Sequence, residues 1–210
     1  MSCMRAVDDA TPDGLNRVSL TPRQRLALFY TLVVPETALQ LQDSEITFEM
    51  LKRTGVRARN VKAAKLCALG LKSMGATTAL ELRELDFDAL DLTNPKFCSS
   101  AVAAFGADEV TQAFLIDAGD AVALAGSVAM HHLNLSTQTL LQACAGSPDH
   151  ARAVLQQSTP RGAALAGCCA GVLLDTGLRA TTLCELGYFL DRIRDQTNAS
   201  TGDLAKLGFR

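Results

Sequence analysis

An apolar framework residue recurs along this chain every ten or eleven residues, and no other feature limits the fold as strongly. Leu51, Val61, Leu71, Leu82, Leu92 and Val102 stand 10, 10, 11, 10 and 10 residues apart. Four residues after each comes Gly55, Lys65, Gly75, Asp86, Lys96 and Gly106, and the next residue is Val56, Leu66, Ala76, Phe87, Phe97 and Ala107. The same grid returns at Leu173, Leu183 and Leu204, with Gly177, Gly187 and Gly208 at the glycine place. A period this short belongs to repeat arrays, which build extended surfaces rather than one pocket.

Each unit carries both ends of a short helix. Ser or Thr four residues before the framework Leu (Thr47, Thr78, Ser200) suits an N-cap, because its hydroxyl can accept a free first-turn N–H. Gly four residues after it suits the left-handed turn that ends a helix, and the following apolar residue then packs back on the Leu. Gly55, Gly75, Gly106, Gly177, Gly187 and Gly208 are therefore expected just past helix ends with positive φ. A helix of about six residues is not stable alone, because nucleation costs more than so few bonds return. The leucines must be buried against other units. The expected fold is all-α, a solenoid-like array of short stacked helices. An irregular helical bundle is the alternative. A long coiled coil is disfavoured by the repeated Gly.

The unit resembles the short leucine-rich "Leu-Lys-x-x-Gly-Phe" helical repeats of protist and some bacterial proteins. Leu51-Lys52-Arg53-Thr54-Gly55-Val56, Leu71-Lys72-Ser73-Met74-Gly75-Ala76 and Leu204-Ala205-Lys206-Leu207-Gly208-Phe209 carry the resemblance. It implies an interaction or structural role and names no partner.

Thr21-Pro22 marks a cap followed by proline at the first helical position, so a helix is expected from Pro22 to about Val33. It reads as a capping helix over the first repeat. Residues 1–20 are expected to be a flexible N-terminus, and 21–210 a single helical repeat domain whose register loosens over 121–172. There the sequence suggests helices at Ala121–Asn134, Thr137–Ala145 and Pro148–Gln156, a loop at 158–162, and a buried helix across Gly162–Leu174. Pro95 at an apolar place predicts that the unit at Leu92 bends or is cut short.

Composition narrows function by exclusion. Hydrophobic residues make up 48% of 210, enough to bury a core, while aromatics are only 5% and Trp is absent. A formal charge of −2 gives no global attraction for nucleic acid or membrane. Seven cysteines at no framework spacing predict reduced, mostly buried thiols in a cytoplasmic, reducing setting. No phosphate loop, dinucleotide fingerprint or His-Glu-x-x-His occurs. Adjacent His131-His132 and adjacent Cys168-Cys169 cannot easily share one metal ion. No cofactor, metal or catalytic residue is therefore expected, and the chain is read as a non-enzyme; an enzyme with an unrecognised Cys or His centre ranks third.

Charge is the one positive signal. Lys52, Arg53, Arg57, Arg59, Lys62, Lys65 and Lys72 face Glu49 alone over 49–72, and nine carboxylates face Arg83 and Lys96 over 81–120. Lys52, Lys62, Lys72 and Arg83 directly follow four successive framework residues, so a stacked array would line them up as a basic ladder. These four are the candidate partner-binding residues. The expected partner is a protein or a multi-subunit assembly, with no membrane; the alternative is a nucleic-acid-associated structural subunit using the same ladder. The bland explanation is that a cation is simply the soluble choice at an exposed repeat position.

Overall fold

The computed structural model describes residues 19–33, 41–158 and 164–209. The expected flexible N-terminus lies almost wholly outside these, as does most of the loop expected at 158–162. The described residues form helices and turns, with no strand.

In chain order the helices are α1 (Pro22–Val33), α2 (Phe48–Arg53), α3 (Ala58–Ala63), α4 (Ala68–Ser73), α5 (Leu80–Glu84), α6 (Pro95–Phe105), α7 (Ala107–Phe114), α8 (Ala118–Leu124), α9 (Val128–His132), α10 (Thr137–Ala143), α11 (Pro148–Gln157), α12 (Ala170–Thr176), α13 (Ala180–Glu185), α14 (Leu190–Thr197) and α15 (Thr201–Leu207). Short 3-10 turns lie at Gln42–Ser44 and Ala89–Thr93. Contacts gather the chain into two compact units, where the sequence suggests one domain over 21–210. The first is the described part of Met1–Phe87 with Ser99–Val110, and the second is Asp88–Cys98 with the described part of Thr111–Arg210.

The helix ends follow from the repeat. All six glycines expected past helix ends have positive φ, from 78° at Gly55 to 108° at Gly75. At four of these ends the residue after the Gly donates its N–H to the framework carbonyl: Val56 to Leu51 at 3.1 Å, Ala76 to Leu71 at 3.1 Å, Tyr188 to Leu183 at 2.9 Å and Phe209 to Leu204 at 2.9 Å. The Gly N–H reaches the residue after the framework Leu, as from Gly55 to Lys52 at 3.2 Å. This double bond pattern closes the free carbonyls of the last turn. Lys65 (φ 57°), Asp86 (φ 64°) and Asn134 (φ 53°) adopt the same turn with a side chain present. The pattern thus continues into the stretch of looser register: Leu135 N–H meets the Met130 carbonyl at 2.8 Å.

Most framework residues lie in the core, although Val102 is only half-buried. Leu51, Leu71, Leu82 and Leu183 are fully buried and Leu204 nearly so. Thr47 caps α2 by accepting from Met50 N at 3.3 Å, and Ser200 caps α15 reciprocally with Asp203. Thr78 does not cap: the α5 cap is Ala79, and the Glu81 carboxylate takes the Thr77 and Thr78 N–H groups instead. A carboxylate inside the helix has replaced the hydroxyl before it. The unit at Leu92 is cut to the 3-10 turn Ala89–Thr93, and Pro95 opens α6 rather than bending a helix. The helix expected over Ala121–Asn134 is two, because Gly126 turns at φ 66° and Ser127 caps α9 through Ala129 N. Of the segment expected to be helical from Gly162 to Leu174, residues 162–163 lie outside the described residues, and in the described part the helix begins at Ala170.

Bonds between helices recur at one sequence distance. In the first unit, Asn60 reaches Thr31 across 29 residues, Ala68 N reaches Ser100 Oγ across 32, and Ala79 N reaches Glu109 across 30. Phe48 N also bonds Met74 O, and Ala58 N bonds Leu85 O. In the second unit, Cys169 N reaches Gln138 across 31 residues and Arg179 reaches Lys206 O across 27. These distances are about three repeat lengths. The N–H groups of Phe48, Ala58, Ala68 and Ala79, at the starts of their short helices, thus find acceptors 26 to 32 residues further along the chain.

Candidate functional site

The four ladder residues occupy the last helical turns of their units, where a cation interacts favourably with the helix dipole. Their carbonyls accept the N–H of Gly55, Lys65, Gly75 and Asp86. Backbone geometry therefore gives each position a structural task before any partner is considered.

The side chains are also engaged within the chain. Lys52 Nζ lies 2.8 Å from Glu84 and 3.0 Å from Glu49, with the Phe48 ring centroid 5.5 Å away. Glu84 and then Glu49 raise the Lys52 pKa, while Lys52 and then Arg53 hold Glu49 below the ordinary carboxylate range. Lys72 Nζ donates to the Ala104 carbonyl and lies 5.2 Å from the Phe105 ring centroid. Lys62 is exposed and Arg83 half-buried, and both also interact within the chain. Beside the ladder, Arg57 Nε pairs with Asp86 at 3.1 Å and its Nη1 donates to Glu84 O at 3.3 Å.

Cations of the basic stretch thus meet carboxylates of the acidic stretch about three repeats on. Glu84, Asp86 and the Ala104 carbonyl are the partners that counting along the sequence missed. Their signal was present: acids stand 29 to 32 residues after Arg57 and Lys52. These pairs are solvent-exposed, and such pairs each contribute little stability. Their consequence is to neutralise Lys52 and Arg57 locally.

Catalytic alternatives find little geometry. Ser147 Oγ lies 2.8 Å from His150 Nδ1, three residues apart at the exposed start of α11. The His131 and His132 ring centroids are 6.1 Å apart. His131 borders an open cleft of about 420 Å³ with Ser127, Met130 and Asn134. Among the described residues no group of three His, Cys, Asp or Glu is placed to hold a metal ion, and no helix is long and apolar enough to cross a membrane.

The six described cysteines are all unpaired. Burial pushes the thiols of Cys98 and Cys144 up, and that of Cys168 to about 11, so these three stay protonated at neutral pH. Brief alkylation at neutral pH, mapped by peptide mass spectrometry, should label exposed Cys67 and Cys169 first and spare those three. Labelling of Cys168 as fast as Cys169 would contradict its burial. Comparison with known proteins finds no matching family model, curated protein or solved structure.

Proposed function

We propose that this chain is a non-catalytic protein-binding or scaffold subunit, built as a solenoid-like array of short helices with α1 as its N-terminal cap. The observation that carries this reading is the recurrence of inter-helix bonds at about three repeat lengths. Short helices that bond repeatedly to elements about thirty residues away would wind with about three repeats per turn, each turn covering the one before. The packing of α1 against α3 supports its role as a cap. Repeat windings expose long edges and few enclosed cavities, which suits docking better than turnover. The free thiols support a cytoplasmic, reducing location. The resemblance to Leu-Lys-x-x-Gly-Phe repeats points the same way.

Three helices per turn changes what the ladder can be. Positions ten residues apart fall on different sides of a turn, and those about thirty apart share a side. Lys52 and Arg83 then share one side, while Lys62 and Lys72 stand on the other two. The four cations serve as separate contacts, and Lys62, exposed in the last turn of α3, is the one to test.

The experiment is crosslinking in the producing cells, followed by reconstitution of the chain with the identified neighbour from purified components. A defined complex is expected. Lys62→Glu should weaken it, while unfolding free energy stays within about 0.5 kcal/mol. Absence of any protein complex, together with turnover of a small molecule, would overturn the reading. Loss of the complex between low and moderate salt in the presence of RNA alone would favour the nucleic-acid alternative.

A further inference from the structure

We propose that the outer face of α3 and the turn that follows it, carrying Arg59, Lys62 and Lys65, is a docking surface for an acidic segment of a partner protein. The inference rests on reading the chain as a binding module. The inner side of α3 is committed: Ala58, Asn60 and Val61 are buried, and the Asn60 amide donates to the Thr31 carbonyl of α1. Arg59, Lys62 and Lys65 are all exposed: Arg59 and Lys62 stand three residues apart on α3, where such positions are neighbours, and Lys65 lies in the turn just past its end.

Two of these cations sit where backbone physics favours something else. Arg59 lies in the first turn of α3, where the helix dipole disfavours a cation; α2, α5 and α15 put Glu49, Glu81 and Asp203 in that turn. No residue of α3 is acidic. Lys65 takes the left-handed turn at φ 57°, a conformation that a β-carbon strains and that Gly55 and Gly75 occupy freely in the neighbouring units. Local choices that oppose stability and add the same charge to the same face mark a functional surface. Lys62 adds to that charge while keeping a contact within the chain. Nearby, Lys52, Arg57 and Lys72 are bonded to Glu84, Asp86 and Ala104.

An acidic peptide fits this face better than nucleic acid does. The patch is short, and it carries no aromatic residue on which a base could stack. The chain as a whole bears a formal charge of −2, which opposes approach of a long polyanion.

Fluorescence anisotropy with labelled oligoglutamate, and with an oligouridylate of matched charge, tests the assignment at low salt. The wild-type chain should bind oligoglutamate more tightly than oligouridylate. Arg59→Gln with Lys65→Gly should weaken oligoglutamate binding on the order of tenfold. The same double variant should melt at an equal or higher temperature, because it removes a dipole conflict and a strained turn. Arg152→Gln, which removes an exposed cation of α11 outside this surface, should leave binding unchanged. Cations with only a structural task would not give weaker binding together with an equal or higher melting temperature. Three results would overturn the assignment: no oligoglutamate binding, unchanged binding by the double variant, or tighter binding of oligouridylate. Each would leave the reconstituted complex with a protein neighbour untouched, so this surface and the binding reading can fail separately.

Discussion

Leu82→Ala should lower the unfolding free energy by about 2–5 kcal/mol, measured as a lower urea midpoint at unchanged slope. Leu82 is fully buried in a helix of only five residues. So short a helix is not stable without tertiary packing, so its side chain supplies what its backbone bonds cannot. The substitution keeps those bonds: Leu85 and Phe87 still donate to the carbonyl of residue 82. The loss therefore reports burial and cavity formation. Leu80, two residues earlier in the same helix, is 57% exposed. Leu80→Ala should change stability by no more than about 0.5 kcal/mol. Equal effects at the two positions would contradict the inward placement of the framework residues.

That contrast marks what the sequence makes legible. The framework Leu, the turn residue and the apolar residue after it lie within six positions, and their chemistry is local. The αL turn needs no distant partner, so Gly55 or Gly208 identifies it directly. Lys65 and Asp86 carry no such signature, and only the ten-residue period gives them away. Capping was legible where it used a hydroxyl, at Thr47 and Ser200, and misread at Thr78, where the helix starts one residue later at Ala79 and the Glu81 carboxylate takes the Thr77 and Thr78 N–H groups.

Pairing between units was not legible. Ten-residue spacing suggests that each unit leans on the next, yet Phe48 bonds Met74 and Ala58 bonds Leu85. The angle between successive helices decides this, and it is set by core packing that no single repeat encodes. The candidate site shares the difficulty. Lys52, Lys62, Lys72 and Arg83 were readable as cations at one repeat position. That Lys52 meets Glu84, and Lys72 the Ala104 carbonyl, depends on the same unreadable angle.

Gly126→Ala is the substitution expected to separate close approach from simple turn strain. Gly126 was not on the sequence grid, and a continuous helix was expected across it. It has φ 66°, and a β-carbon there would overlap the Gln157 carbonyl oxygen at the end of α11. Backbone cannot swing aside as a side-chain tip can, so α8 and α11, which pack on one another, must part or the turn must deform. Strain of the left-handed turn adds to this, and the sum is roughly 2–4 kcal/mol. Gly55 and Gly75 make the same kind of turn, but a β-carbon would meet nothing within 4 Å. Gly55→Ala and Gly75→Ala should therefore cost only the turn strain, about 1 kcal/mol each. Urea denaturation of the three variants measures the difference directly. If Gly126→Ala costs no more than Gly55→Ala, α11 does not press on the Gly126 turn, and the division of Ala121–Asn134 into two helices must rest on the Ser127 cap alone.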